Sequence, residues 1–429
     1  MKKLIQKIRE MSRKSLMRNI LWLYGVHFVN YLVPFITVPY LTRVLGLGGW
    51  GLFALIQSFA MYLMTIVEYN FIYSGTRDIA VARSDFTRRS EILSGVIGAK
   101  ILLSGIVVIA SLIAVYTVSS LSTHPLEFWL GIVWAITLGF NFLWYFQGLE
   151  KMQVAAALDV SAKILATVGV FIFVKSSNDV GTIFFIYTFA NILSIILSLT
   201  LAYREVPFVK LRWKLTREAM QSGSSIFVAR MFSTVYYTAN VFIVGIFAQS
   251  QTAGIFAGAD KLSKGFAALT GPITSALFPR LSHLFQSDHE KARKLFHQSS
   301  ALMFAIGVVL GGLIYWIAPI YAKYYLGPGY EETIGVIRWL APYSLLVALN
   351  NLIVVQWMFP LGLDKVYSYI TGLTVVVHIA LAWWFITLYG AIGMAWAILL
   401  TQGFEVLLNN VVLWVRRVHP WQHTVITAP

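Results

Sequence analysis

The sequence predicts an all-α membrane protein of about twelve transmembrane helices in two six-helix bundles, with both termini in the cytoplasm. Three observations predict it. Of 429 residues, 58% are hydrophobic and only 12% charged, against roughly a quarter charged in an ordinary soluble domain. Apolar stretches long enough to cross a bilayer core recur along the whole chain. The Lys and Arg residues between them concentrate on alternate loops. A soluble fold of this length keeps a large polar shell, and lipid removes that requirement. The 14 Trp and 21 Tyr fit the aromatic belts of the two interfaces.

Taken in order, the expected spans are 19–42, 50–73, 92–116, 126–147, 156–174, 181–203, 222–247, 253–278, 296–318, 334–358, 367–388 and 392–415. The basic start, Met1 to Arg18, precedes an apolar stretch that runs to about Thr42. That stretch exceeds the h-region of a signal peptide and no small-x-small site closes it, so it reads as a retained first helix. The last two spans are separated only by Tyr389-Gly390-Ala391. With the N-terminus inside, the segments 1–19, 74–91, 148–155, 203–221, 279–295, 359–366 and 416–429 hold 24 Lys and Arg. The opposite loops hold three, Arg43, Lys175 and Lys323. That asymmetry places both termini in the cytoplasm and requires an even number of spans. The basic loops set topology and contact anionic lipid.

The longest basic segment, 204–221, lies near the centre and divides residues 1–203 from 222–429, six helices from six. A faint internal echo supports the division: Gly51-Leu52-Phe53-Ala54 and Gly254-Ile255-Phe256-Ala257 each open a helix after a short outer turn. Two parallel halves around a central cavity are a common transporter plan. Pro34 and Pro39 in the first helix, and Gly271-Pro272 in the eighth, are expected to bend their helices.

Several chemistries are excluded. The net charge of +15 is spread between apolar spans and forms no aromatic-laced soluble patch, so nucleic acid is not a partner. Cysteine is absent, which removes disulfides and thiolates. No phosphate-binding Gly-x-x-x-x-Gly-Lys-Ser/Thr loop or His-Glu-x-x-His cluster occurs, so no nucleotide, metal or other cofactor is implied. His378, deep in a span, is expected to make a structural hydrogen bond. A membrane enzyme polymerising or ligating glycans is the catalytic alternative. It would need carboxylates converging on a sugar bond, and the outer loops offer only the adjacent Glu331 and Glu332.

Charge inside a span costs about 2.5–3.5 kcal/mol on insertion scales, so each case needs a partner or a wet cavity. The cations are Lys100, Lys163, Arg230, Lys261, Lys264 and Arg338; the acids are Glu68, Asp159, Asp260 and Glu405. Asp159 and Lys163, like Asp260 and Lys264, are four residues apart with the acid first, the favourable order for a pair on one helix face. Such pairs either pin helix packing or belong to a cationic cavity. Because cations outnumber acids, the cavity reading takes Lys100, Lys163, Arg230, Lys264 and Arg338 as binders of an anionic, phosphate-bearing solute. The four acids are candidates for ion coupling or charge pairing. Glu68 and Glu405 are the better proton carriers, because an acid beside lysine holds its charge.

Particular stretches carry a resemblance. They are Pro34-Phe35-Ile36-Thr37-Val38-Pro39-Tyr40-Leu41-Thr42-Arg43-Val44-Leu45-Gly46 and Ser74-Gly75-Thr76-Arg77-Asp78-Ile79-Ala80 with Arg83 and Lys100. They continue with Trp144-Tyr145-Phe146-Gln147-Gly148-Leu149-Glu150-Lys151-Met152 and Leu277-Phe278-Pro279-Arg280-Leu281-Ser282. In this order they resemble the polysaccharide transporter family, the Wzx-type lipid-linked oligosaccharide flippases of the multidrug/oligosaccharidyl-lipid/polysaccharide exporter superfamily. The last stretch is similar to that family's loop after the eighth helix. The resemblance implies two six-helix bundles around a cationic cavity in a bacterial inner membrane. It implies a cargo of undecaprenyl diphosphate bearing a sugar repeat unit, moved from cytoplasmic to periplasmic leaflet for surface polysaccharide such as O-antigen. It further implies coupling to an ion gradient and association with polymerase and chain-length machinery, and it adds Arg43 and Arg77 to the candidate binding residues. An ion-coupled exporter of small molecules with the same fold is the nearest alternative.

Overall fold

The computed structural model describes the backbone of residues 2–117 and 119–422. Side chains are described from residue 29 to 422 except at 30, 31, 118–120, 225, 226, 228–230, 232, 233, 235, 236 and 286. The side chains of the basic segment 1–18 and the whole of the tail 423–429 therefore lie outside this description. Among the described residues every regular element is helical. Helices satisfy their own backbone polar groups, which is what a chain buried in hydrocarbon requires.

Eight helical stretches among the described residues are long and apolar enough to cross a membrane. The Asp364–Val415 stretch has 52 residues, about 78 Å at 1.5 Å per residue, well over twice a ~30 Å hydrocarbon core. It folds back at Gly390, whose φ of 56° and ψ of −128° interrupt the helix at the expected turn. The first turn behaves alike: Lys2–Glu68 is broken at Gly46, with φ 63°. A left-handed φ excludes most side chains, so glycine at these two corners is a requirement of the chain path. Pro34 and Pro39 lie in helical backbone, and the non-helical residue of this segment is Gly46.

The expected spans 222–247 and 253–278 are more interrupted than their hydropathy implied. The first is Trp213–Thr238 followed by Asn240–Phe247; the second is Ser250–Ala268 followed by Gly271–Ser287. Pro272 does not bend one helix there: it sits in the first turn of a new one, where its missing N–H costs nothing. The stretch Leu277 to Ser282, expected in a loop, is helical within Gly271–Ser287. The reason is its amphipathic spacing. Leu277, Leu281, Leu284 and Phe285 recur on one face and pack into a core with Phe296 and Trp357.

The chain divides into two compact units, Met1–Gly49 with Ile56–Met231, and Trp50–Leu55 with Phe232–Pro429. In the first, helices Phe86–Thr117, Pro125–Gly139, Met152–Phe173 and Val180–Tyr203 pack closely because small residues thin their faces. A Cβ on Gly131 would meet Ile56, and one on Gly139 would meet Val67. Its aromatic core holds Phe71, Phe142, Trp144, Tyr145 and Phe146. In the second unit, Gly307 and Gly311 of His289–Ile320 admit Leu345 and the Ala341 carbonyl of the neighbouring segment. Gly51 lies against Ser250, where a Cβ would fall 1.9 Å from the carbonyl oxygen and 3.2 Å from Gly254 N. The two echoing tetrapeptides therefore meet in one unit.

Candidate functional site

In the first unit two of the resembling stretches, around 74–83 and 144–152, prove to be one another's packing partners. Gly75 leaves room for the Trp144 ring, which a Cβ would approach to 2.6 Å. Thr76 Oγ1 donates to Trp144 O at 3.1 Å. Arg83 donates to Gly148 O at 3.1 Å and pairs with Glu150 at 3.0 Å. Arg89, 3% exposed, donates to Tyr145 OH and to Glu205, both at 2.8 Å, and Lys151 pairs with the other Glu205 oxygen. Burial raises the Glu205 pKa, but hydrogen bonds from Lys151 and Arg89 outweigh it and hold the carboxyl below its ordinary range. This cage ties together the segments 74–91, 148–155 and 203–221.

The candidate cations of this unit are differently employed. Lys100 is 1% exposed, with Nζ donating to Gly139 O at 2.6 Å and Asn141 O at 3.0 Å. Those carbonyls are free to accept because the backbone breaks at Phe140–Phe142, between helices Pro125–Gly139 and Leu143–Gly148. The rings of Phe71, Phe140 and Phe142 surround the ammonium at 5.8–6.0 Å, and Glu68 acts on it electrostatically. Lys163 pairs with Asp159 at 2.5 Å, each about a third exposed. Arg77 donates to Asp78 at 3.1 Å and to Ser222 Oγ at 2.6 Å, while Ser222 donates to Asp78 at 2.7 Å. Asp78, Ser74 and Ser222 line a cavity of about 590 Å³ with Arg88, Glu91 and Glu218. Arg43 is exposed and donates to Pro39 O at 3.0 Å.

The second unit gathers buried polar groups on neighbouring helices. Lys264 donates to Asp260 and to Tyr237 O, both at 2.6 Å. It lines a cavity of about 240 Å³ with Tyr237, Thr270, Tyr343 and Asn351. Among the described residues those two bonds engage two of its three ammonium donors. Glu405, 1% exposed, meets neutral partners: Gln402 donates to it at 3.2 Å and Thr371 at 3.5 Å, with Tyr367 and Asn350 also in hydrogen-bond reach. His378 lies 3.0 Å from Asn240 Oδ1 and 3.3 Å from Thr401 Oγ1, the hydrogen-bonded role expected of it. Asn409 donates to Asn350 at 3.1 Å. Lys261 stands 4.5 Å over the Trp50 ring. Arg338 is exposed and 5.0 Å over the Tyr315 ring. The Arg230 side chain lies outside the described residues.

The i,i+4 pairs were readable because helical spacing dictates them. Around Glu405 only Gln402, three residues earlier on the same helix, follows such a spacing; Thr371, Tyr367 and Asn350 come from other segments and leave no pattern in sequence.

Apolar helices with paired charges and polar cavities make up this fold, and it is shared with solved membrane proteins. An inward-facing multidrug MATE transporter of the MOP superfamily superposes with TM-score 0.62 at 15% identity, covering 90% of this chain and 98% of its own. An outward-facing MATE structure gives 0.52 at 16%, covering 94% and 95%. The family described as polysaccharide biosynthesis protein matches residues 16–285, and this chain belongs to it. Two relatives are provisionally named O-antigen transporters. That of Escherichia coli K12 is 28% identical over 393 residues, 91% of this chain and 95% of its own. That of Shigella dysenteriae is 31% identical over 395 residues, 91% and 98%. Both are named as transporters, so the glycan-enzyme alternative is set aside and the chain is not an enzyme.

Proposed function

We propose that this protein is a flippase for a polysaccharide precursor. It moves an undecaprenyl-diphosphate-linked oligosaccharide from the cytoplasmic to the periplasmic leaflet of a bacterial inner membrane by alternating access. In this reading the chain comprises two six-helix bundles, 1–203 and 222–429, joined by 204–221, and the lipid tail stays in hydrocarbon during transfer, because withdrawing each CH₂ costs about 0.8 kcal/mol. The observation that carries the reading is Lys264, which lines a cavity of the second unit with Tyr237, Tyr343 and Asn351 and, among the described residues, has two of its three ammonium donors engaged. An ammonium fixed in such a place offsets the desolvation of a phosphate, and hydroxyl and amide groups suit a sugar. Of the other candidates, Lys100, Lys163, Arg43, Arg77 and Arg338 have local partners that also serve packing.

Glu405 is the coupling group in this reading. Asp159 and Asp260 each hold a lysine, and Glu68 acts on Lys100, whereas Glu405 meets amides and hydroxyls and can gain a proton without breaking an ion pair. The test follows a fluorescent lipid-linked oligosaccharide between leaflets of reconstituted vesicles. Lys264→Ala is expected to slow transfer about 10- to 100-fold, as a lost charge-assisted hydrogen bond does. The double variant Asp260→Asn/Lys264→Ala, which removes both charges of the pair together, is expected to insert normally and remain slow. Unchanged transfer at normal protein levels would remove Lys264 from the site.

A further inference from the structure

The segment after Tyr203 runs without regular structure to Arg212 and then enters the helix Trp213–Thr238. It is pinned by its backbone. Ser90 Oγ donates to Pro207 O, and Ser94 Oγ donates to Lys210 O at 3.2 Å. With its carbonyls held against the helix Phe86–Thr117, the segment leaves its large apolar side chains uncovered: Phe208 is 71% exposed, Leu211 53% and Trp213 67%. Lys210, Arg212, Lys214 and Arg217 are interleaved with them and exposed. Among the described residues none of these four cations meets a carboxylate, although Glu205 and Glu218 are near in sequence. Arg89 and Lys151 hold Glu205, and Arg88 holds Glu218 at 3.4 Å. The acids are committed elsewhere and the linker cations are left over.

Trp213 and Arg217, one helical turn apart, also line a groove of about 400 Å³ with Tyr69, Met220, Gln221 and Ser224. Its wall is mostly apolar with a guanidinium at the edge. Water is a poor occupant for such a surface, and a soluble acidic protein would leave the indole and the Phe208 ring unexplained. A phospholipid accounts for both parts: acyl chain against Trp213 and Met220, phosphate against Arg217 and its neighbours. We propose that the segment 204–217 and this groove form an anchoring site for an anionic phospholipid of the leaflet that the Lys and Arg distribution assigns to the cytoplasm. The site lies within the first unit and is distinct from the Lys264 cavity. Its occupant is a resident lipid, which is not transported.

The test is native mass spectrometry of the full chain, purified in mild detergent with equimolar phosphatidylglycerol and phosphatidylcholine, with no transport assay involved. The wild type is expected to retain phosphatidylglycerol preferentially. Lys210→Gln, Arg212→Gln, Lys214→Gln and Arg217→Gln are each expected to lower that preference about fivefold, and together to abolish it. Trp213→Ala is expected to lower retention of both lipids while keeping their ratio, because the indole covers chain and does not read charge. Removing four cations from other segments assigned to the same face (Arg280, Lys291, Lys294 and Lys365) is expected to leave the preference largely intact. Should the fourfold linker variant not fold, the single variants decide. Three outcomes overturn the proposal: no preference in the wild type, equal loss in the other-loop control, or displacement of the lipid by soluble glycerol phosphate beyond the effect of chloride at equal ionic strength.

Discussion

Glu205 joins a buried arginine to an exposed lysine at the edge of the membrane, and its loss tests how much the cage holds. Breaking a buried ion pair costs about 3–5 kcal/mol; Glu205 is a third exposed, which screens part of that. Glu205→Gln is therefore expected to destabilise the first unit by about 2 kcal/mol at neutral pH, read as a lower unfolding temperature in detergent. Because the folded carboxyl titrates below its ordinary range, its contribution is complete above the unfolded value near pH ~4.3. It fades as pH falls through the lower, folded value, so variant and wild type should converge in acid. At the same scale, Glu405→Gln is expected to preserve folding and flatten the pH dependence of transfer in the vesicle assay. A pH profile unchanged from wild type would return Glu405 to a purely structural role. Sequence disclosed Asp159 with Lys163 and Asp260 with Lys264, since four residues bring two side chains to one face whatever surrounds them. It could not disclose that Lys100 finds Gly139 O and Asn141 O, because those acceptors exist only where a second helix stops.

At the scale of elements, glycine decides where helices turn and how near they come. Gly390 and Gly393 make a graded pair. Gly390→Ala introduces a side chain at φ 56° with its nearest outside neighbour, Thr252 Cγ2, at 3.5 Å. Its cost is the positive-φ backbone itself, on the order of 1–3 kcal/mol. Gly393→Ala would set a Cβ 1.9 Å from Phe385 O, which forces the two arms of the hairpin apart. The second variant is expected to unfold at a clearly lower temperature than the first, and the reverse order would contradict the hairpin geometry. Hydropathy located the turns at Gly46 and Gly390, because apolar runs of 50 and 52 residues exceed what one crossing can use. It missed the break near Ala239, where composition stays apolar, whereas Gly271-Pro272 marked the neighbourhood of the break at Thr270 as a bend and not as a new start.

At the scale of the whole molecule, the chain has no cysteine, so every introduced thiol is a unique reporter of sidedness. Lys210→Cys and Lys365→Cys are expected to react with a membrane-impermeant maleimide only from the cytoplasmic side, and Lys175→Cys only from the opposite one. Labelling of all three from one side would refute the assigned topology. The likeness to relatives over about nine-tenths of the chain extends to the fold as a whole, which composition and periodicity had made legible. The separation into units was less so, since Trp50–Leu55 sits with residues beyond 232. That placement has a temporal meaning. Gly51 settles against Ser250 and Gly254, residues that a ribosome adding ~5–20 amino acids each second reaches roughly 10–40 s later. Through that interval the smooth start of an early helix waits in lipid, which tolerates a bare small-residue face because no hydrophobic force drives it to the wrong neighbour. Closure of the second unit is thus a late event of biogenesis, and a polypeptide ending at Met231 leaves Trp50–Leu55 without its partner.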